Sequence, residues 1–274
     1  MAAWEVASNY FSGQGVVLMG KRDTSSGIAK AGGLFEVGNC SELKLNVNTS
    51  TVEHKETTTG ARAIDLRLTT EIKANMECTI ENFNSKNLSQ AMRGHHVDST
   101  AGTVTDEPLL AYPGMISPLA HISIKPPSVT PLVAFTVETV EATPKVLVLG
   151  TDYEVNFEAG SIKFKAASTI FAAPGTLSVP VVITYEYNAQ EEVHGLTQPM
   201  QTIWLRFEGL NTADTNKPVV LDVFKFSTDP LKELDLIGDK INAFQLAGSC
   251  LADLTQGSGV SRYWRLKHLG GGGN

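Results

Sequence analysis

The stretch "IDLRLTTEIKANMECTI", residues 64–80, decides the fold class of this chain. Apolar or small side chains stand almost throughout at its even positions and polar ones at its odd positions, from Ile64 to Ile80. A period of two held over this length predicts one long β-strand with two chemically different faces. Because strands usually have about five or six residues, two interpretations are open. The strand either bends near Thr69–Thr70 around the corner of a sandwich, or it crosses the whole subunit and joins a sheet shared between subunits.

The segments beside this strand have their own signals. "ELKLNVNTSTV" (42–52) alternates like a strand, and a polar loop of residues 53–63 separates it from the long strand. "FNSKNLSQAMRG" (83–94) predicts a short helix that Asn84 or Ser85 caps and that ends near Gly94. A second short helix is predicted in "DPLKELDLIGD" (229–239), with an Asp cap and a Pro in the first turn.

The rest of the chain is dominated by short alternating runs, which predict a mainly β (α+β) protein with an antiparallel β-sandwich or barrel. Residues 95–118 have the composition of a loop, and "NFEAGSIKF" (156–164) predicts a hairpin. We therefore expect a discontinuous domain of residues 1–105 and 191–268, which begins with an N-terminal arm. A β-rich sub-domain of residues 106–190 is inserted in it, and residues 269–274 form a flexible Gly-rich tail.

Composition and motifs argue against several classes of protein. The net charge of −7 and the lack of a basic run disfavour a general nucleic-acid binder. No apolar run approaches the roughly 18–20 residues that span a bilayer, so no membrane insertion is expected. HExxH, CxxC, GxSxG and P-loop motifs are absent. The adjacent His95 and His96 lack partners at metal-ligand spacing. We expect a protein that is not an enzyme, without cofactor or metal.

Taken in order, these features resemble the major tail tube proteins of long-tailed bacteriophages, whose fold is related to that of type VI secretion tube proteins. The resemblance rests on the strand, the "ETTTGARAID" loop, the long strand and the helix within residues 32–92, and on the closing half "FKFSTDPLKELDLIGDKINAFQLAGSCLADLT". "GTDYEVNFEAGSIKF" is similar to a hairpin common in such proteins. Residues near 106–190 depart from the compact members of the family.

The resemblance implies a structural virion subunit in six-fold rings that stack into a hollow tube, through which the genome is delivered. The partners would be other copies of the chain, together with tape-measure, tail-terminator and baseplate or tail-tip proteins, and DNA only as passing cargo. The protein would be made in the bacterial cytoplasm and reside in the virion tail. Contacts between rings are expected from His54, Lys55, Glu56, Thr57, Thr58, Thr59, Gly60 and Arg62. A polar face towards the lumen is expected from Arg67, Glu71, Lys73, Glu77 and Glu81.

Two alternatives remain open. The chain could be a β-sandwich binding module, either an adhesin or a capsid-decoration protein, in which residues 106–190 recognise a surface. It could also be an enzyme with a scattered site, because paired carboxylates leave no signature in a single sequence.

Overall fold

The computed structural model describes residues 10–129, 132–173 and 175–269. The start of the predicted N-terminal arm and all but the first residue of the predicted Gly-rich tail lie outside these residues. Antiparallel strands dominate the part described, with a single α-helix, α1 (Ser85–Ala91), and a 3₁₀ turn at Thr169–Phe171. The strands are β1 (Gly13–Asp23), β2 (Lys30–Glu36), β3 (Cys40–Lys55), β4 (Ile64–Ile80), β5 (His95–Ser99), β6 (Gly102–Ala111), β7 (Ile116–Pro118), β8 (Ser128–Val129), β9 (Leu132–Val133), β10 (Phe135–Thr139), β11 (Tyr153–Asn156), β12 (Ser161–Phe164), β13 (Val179–Tyr187), β14 (Gln190–His194), β15 (Thr202–Asn211), β16 (Lys217–Thr228), β17 (Phe244–Cys250) and β18 (Trp264–His268).

The chain divides into two compact units. The first consists of residues 1–96 and 193–274, and the second of residues 97–192. The sequence places the boundaries at 105/106 and 190/191 instead. The prediction of a loop over residues 95–118 is wrong, because the structure has β5 and β6 in this stretch. The first boundary was therefore predicted too far along the chain. β5 and β14, where the chain passes from one unit to the other, pair with each other.

The first unit is built on an eight-stranded sheet with the order β2-β1-β15-β16-β17-β4-β3, in which β18 also pairs with β16. The even positions of β4 from Ala74 to Ile80 are buried, and they join side chains of β1, β15, β16 and β17 in one apolar core. α1 adds Leu88 and Ala91 to this core. The two ends of the sheet are β2 and β3, whose outer edges pair with no strand among the described residues.

The helix predicted near residue 85 is confirmed, and its cap is Asn84, whose side chain accepts from the backbone N–H of Asn87 at 2.9 Å. Its end differs from the prediction, because the left-handed residue is Arg93 (φ 48°) rather than Gly94. Gly94 is required for another reason: a Cβ there would lie 2.2 Å from the carbonyl oxygen of His194. The Arg93 guanidinium donates to the carbonyl of Thr228 at 2.6 Å, which helps to hold this strained backbone.

The second predicted helix, at residues 229–239, is wrong: the segment has no helical turn in the structure. Only Leu231 and Leu234 pack against the core, whereas Leu236 and Ile237 are 73% and 97% exposed. Short helices in proteins depend on a packed apolar face, and Asp and Gly are poor helix formers. The segment lacks such a face and contains three Asp and one Gly, so its capping signals alone do not produce a helix.

The second unit contains two three-stranded sheets, β10-β13-β6 and β11-β12-β7, whose buried side chains form one core. The hairpin predicted at residues 156–164 is confirmed as β11 and β12. Its turn needs Gly160, which has a φ of +62° and stands where a Cβ would lie 1.9 Å from the carbonyl oxygen of His121. The Tyr185 hydroxyl is buried in this core, where it donates to Glu107, and burial raises the pKa of that hydroxyl.

Acid is expected to weaken the first unit through Asp253. Burial acts to raise the pKa of Asp253, but hydrogen bonds from Gln256 and Thr255 and an ion pair with Arg22 at 3.0 Å outweigh it and lower this pKa from 3.8 to about 2. The stabilisation is therefore complete above pH 3.8 and is lost as the pH falls from there to about 2. We expect Asp253→Asn to lower the free energy of unfolding by about 1–2 kcal/mol at pH 6 and by almost nothing at pH 2. Urea unfolding of both chains across this range measures the difference, and an equal loss at both pH values would contradict the assignment.

Candidate functional site

The long hairpin of β3 and β4 extends beyond the sheet that supports it. β3 pairs with β4 along almost the whole length of both strands, but β17 pairs with β4 only from Ala74 to Ile80. Residues 47–73, which we call the arm, therefore form a two-stranded ribbon beyond β17. Both edges of this ribbon are open among the described residues. An isolated two-stranded hairpin is marginally stable in water, so this arrangement calls for a partner surface.

The arm exposes apolar side chains of β3 and alternating apolar side chains of β4. Each of these side chains is between 49% and 58% exposed, whereas the even positions of β4 from Ala74 onward are at most 2% exposed. Exposed apolar side chains in a row are a recognised mark of an interaction surface. The side chains are Val47, Val52, Ile64, Leu66, Leu68 and Ile72.

A β-bulge divides the arm into two parts. Ser50 of β3 opposes Glu71 of β4, but the next residue, Thr51, opposes Thr69. Thr70 is therefore an extra residue on β4. The Thr70 hydroxyl donates to the carbonyl of Ser50 at 3.1 Å and so fixes the bulge. One additional residue shifts the alternation of side chains by one position. β4 is thus a single strand that is irregular at the predicted place, and its alternation is interrupted there.

The bulge exchanges the apolar and polar faces of the arm. Val47 opposes Ala74, whereas Val52 opposes Leu68; Val47 and Val52 are five residues apart on β3 and so point to opposite faces. Before the bulge, the apolar side chains continue the face that forms the core. Beyond it, Val52, Leu66 and Leu68 lie on the other face. The arm therefore offers an apolar surface on each side, at different distances from the sheet.

The predicted inter-ring residues divide between strand and turn. His54 and Lys55 belong to β3, and the turn spans only residues 56–63, closed by a hydrogen bond from the Glu56 N–H to the Ala63 carbonyl at 2.8 Å. The Glu56 carboxylate accepts from the backbone N–H groups of Thr58 and Thr59, each at 2.9 Å. The side-chain hydrogen bond of Thr59, followed by these backbone bonds, lowers the pKa of Glu56 to about 2. The remaining residues of the set, Thr57, Gly60 and Arg62, lie in the same exposed turn.

The predicted lumen-facing residues do not share one face. Glu71, Lys73 and Glu77 oppose Ser50, Asn48 and Lys44, so these three side chains of β4 point the same way. Arg67 lies beyond the bulge, opposes Glu53 and points to the other face. Glu81 follows the end of β4 and accepts a hydrogen bond from the side chain of Asn39. The bulge is the reason that the predicted set is not continuous.

The polar face of the sheet pairs its own charges. Lys44 lies 2.6 Å from Glu42, and Lys73 lies 3.1 Å from Glu71. Gln245 of β17 donates to Glu77 at 3.3 Å. Charges satisfied in this way form a mixed surface with little net field, which is poorly suited to holding a polyanion.

Of the adjacent histidines at positions 95 and 96, His95 has a local role. The rings of His95 and His194 stack with their centroids 5.2 Å apart, and His95 Nδ1 lies 3.0 Å from the hydroxyl of Thr197. Within residues 10–129, 132–173 and 175–269, no group of three His, Cys, Asp or Glu side chains converges as metal ligands would. In the same residues no helix has the length and apolar character needed to cross a bilayer.

The sequence did not show which apolar side chains of the arm are exposed, although the length of β4 led to the interpretation of a strand that joins a sheet shared between subunits. A strand of seventeen residues is longer than the sheet needs, and its excess length has to extend past the neighbouring strands. The alternation itself is the same in buried and exposed parts, so the pattern could not indicate where burial ends.

Comparison with known proteins identifies one family. The model of the family described as "Protein of unknown function UCP028589" matches residues 10–267 of the chain. The chain belongs to this family. The matched residues include all of the second unit and most of the first. A search of curated proteins finds none that matches the chain.

Proposed function

We propose that this protein of the UCP028589 family is a non-enzymatic structural subunit that assembles with copies of itself into stacked rings, as phage tail tube proteins do. The tube would serve as the conduit for genome delivery. The observation that carries the proposal is the arm, whose exposed apolar side chains and open edges have no partner within the described part of one chain. Burying such a surface against a second copy would be favourable, by about 25 cal/mol for each Å² of apolar surface removed from water.

The free ends of the sheet support the same proposal. β2 and β3 are edge strands, and long open edges favour uncontrolled association unless a structure covers or closes them. Joining the β3 edge of one copy to the β2 edge of the next would close a ring and remove both edges. If the arm of one ring contacts a different surface of the next ring, the same contact can form again at each added ring. Stacked rings would then grow into a tube.

The polar face of Glu71, Lys73 and Glu77 fits the role of a wall that DNA passes without binding. Its charges are mixed and paired with neighbours, and the whole chain carries a net charge of −7. Phosphate binding depends on uncompensated Lys and Arg, so this face would hold DNA weakly at any salt concentration.

A shortened turn tests the role of the arm in stacking. Replacing residues 57–62 by Asn-Gly keeps the closing pair of Glu56 and Ala63 and supplies a two-residue turn that suits a hairpin. We expect the variant to remain folded, with circular dichroism and a melting temperature close to those of the native chain, and to form no long tubes by negative-stain microscopy. The matched control, Thr57→Ser, changes one exposed hydroxyl residue and should assemble normally. Tubes of native length from the shortened chain would exclude the turn from the contact between rings.

The second unit favours one alternative, a binding module. The sheet β10-β13-β6 has one face that is turned away from the core. A row of side chains across this face consists of Leu110, Pro180 and Val140. Val146 pairs with Glu138 and so lies in the neighbouring row. Leu110, Val140 and Val146 are 47%, 54% and 63% exposed. If the protein is instead an adhesin or capsid-decoration protein, the purified chain stays a small discrete oligomer and binds cells or capsids, and Val146→Asp abolishes this binding.

A further inference from the structure

Two free cysteines meet where β3 begins and β4 ends, at the end of the hairpin opposite the turn. Cys40 begins β3 and Cys78 lies near the end of β4, and their sulfur atoms are 3.3 Å apart. Cys78 is 1% exposed, whereas Cys40 is partly exposed at the margin of the core. The two residues are 38 positions apart in the sequence, so only the pairing of β3 with β4 brings them together. The third cysteine, Cys250, lies on β17, where burial raises the pKa of its thiol to about 11.

We propose that Cys40 and Cys78 form a reversible disulfide that closes the β3–β4 hairpin at the end opposite its turn. A disulfide bond has a sulfur–sulfur distance of about 2.05 Å, so the two atoms have to approach by roughly 1.2 Å. The backbone beside Cys40 can provide this movement. The register shifts between Cys40 and Glu42, which leaves Ser41 without a partner on β4. A bulge at this position lets one cysteine move without disturbing the ladder that follows.

The environment of the pair defines the order of the chemical steps. The Cys78 thiol donates a hydrogen bond to the Cys40 sulfur, which lowers the pKa of Cys40 and raises that of Cys78. The sulfur that reaches solvent is thus also the more readily ionised of the two. Cys40 is the attacking thiolate in this scheme, and Cys78 is the resolving thiol.

The oxidant is a low-molecular-weight disulfide, such as oxidised glutathione. The Cys40 thiolate attacks one sulfur of that disulfide, forms a mixed disulfide and releases one glutathione thiolate. Cys78 then attacks the Cys40 sulfur and gives its proton to the departing glutathione sulfur, which forms the Cys40–Cys78 bond and releases the second glutathione as a thiol. The two cysteines lose two electrons and two protons, and the glutathione disulfide is reduced to two thiols.

The bond would enclose the whole arm in one covalent loop, because residues 41–77 lie between the two cysteines. Closing a loop of this length removes conformational entropy from the unfolded chain and so stabilises the first unit. The pair would be reduced in a glutathione-rich cytoplasm and oxidised outside it. This inference does not rest on the proposed assembly, since it concerns two side chains within one subunit.

The test uses the full purified chain in reduced form. The chain is incubated in oxidised and reduced glutathione at several ratios, acid-quenched and alkylated, and then measured by intact mass and by peptide mapping. We expect the number of free thiols to fall from three to one, with a cross-link between the peptides of Cys40 and Cys78. The melting temperature should rise by roughly 5–15 °C and return when dithiothreitol is added.

Variants distinguish this pair from general thiol oxidation. Cys250→Ser should form the same cross-link and show the same shift in melting temperature. Cys40→Ser should show neither, and since Cys40 lies at the margin of the core this variant is expected to fold. The proposal is overturned if Cys40 stops at a glutathione adduct while Cys78 stays free, if the cross-link involves Cys250, or if all three thiols survive in fully oxidising buffer.

Discussion

The double variant Leu66→Ser, Leu68→Ser is expected to fold normally but to stay monomeric and form no tubes. Both side chains lie beyond the bulge at Thr70, are at least half exposed and contribute little to the stability of the subunit. If a neighbouring copy buries the exposed half of each leucine, removing the side chain costs about 0.8–1.5 kcal/mol per contact, half the value for a fully exposed one. Two such losses weaken each contact by roughly ten-fold to a hundred-fold.

Sedimentation velocity and negative-stain microscopy measure this effect directly. The control is Glu53→Ser with Arg67→Ser, a pair on the opposite face of the same part of the arm, where the nearest charged atoms are 3.7 Å apart. Exposed ion pairs contribute at most about 1 kcal/mol, so the control should still assemble. Equal behaviour of the two double variants would mean that this apolar face is not a contact between copies.

The same arm marks the limit of what the sequence could predict. The alternation from Ile64 to Ile80 predicted one long strand, and the Asn84 cap predicted the helix that follows; both are found. These features are local, because they depend on backbone periodicity and on one side chain that satisfies a helix terminus. The bulge at Thr70 depends instead on the pairing with Ser50 across the hairpin. The sequence suggested a bend near Thr69–Thr70 as one of two interpretations, but the extra residue of the bulge is defined only by the register between the two strands.

Features that depend on packing were predicted less well. The segment after Asp229 has the capping residues of a helix but only two leucines that reach the core, so the tertiary structure overrides its local signals. No sequence pattern relates the cysteines at positions 40 and 78, because only strand pairing brings them into contact. For the candidate site, the sequence located the arm and its turn. It could not distinguish exposed from buried apolar positions, because neighbouring strands determine burial.

The largest loss of stability is expected from Asp222→Ala, because this carboxylate joins three strands on the face opposite the main core. Arg206 of β15, Asp222 of β16 and Arg265 of β18 are direct register partners. Arg206 donates to one oxygen of Asp222 at 2.9 Å, and Arg265 donates to the other oxygen at 3.2 Å. The carboxylate is fully buried and also accepts from the indole N–H of Trp204 at 3.3 Å.

Removing this carboxylate takes the shared partner from two guanidinium groups that are 31% and 51% exposed, and Arg206 keeps Glu208 at 2.6 Å. Deleting one partner of a fully buried ion pair usually costs about 3–5 kcal/mol, but both guanidinium groups reach solvent here, so we expect a loss of about 2–3 kcal/mol in the free energy of unfolding. Urea unfolding followed by tryptophan fluorescence measures it, with an unchanged slope as evidence that the folded state is intact. The control is Asp214→Ala, which removes the partner of Lys217 from a partly exposed pair at 2.9 Å and should cost less than about 1 kcal/mol.

A further variant separates the cost of breaking the cluster from the value of having it. Arg206→Met, Asp222→Leu and Arg265→Met together replace the cluster by apolar side chains of similar size. Desolvation of buried charges offsets much of their attraction, so such replacements are often neutral or stabilising. We therefore expect the triple variant to be more stable than Asp222→Ala by about 1 kcal/mol or more. If the triple variant is as unstable as the single one, the cluster stabilises the sheet beyond its own pairing, through the geometry it gives to Trp204 and Phe224.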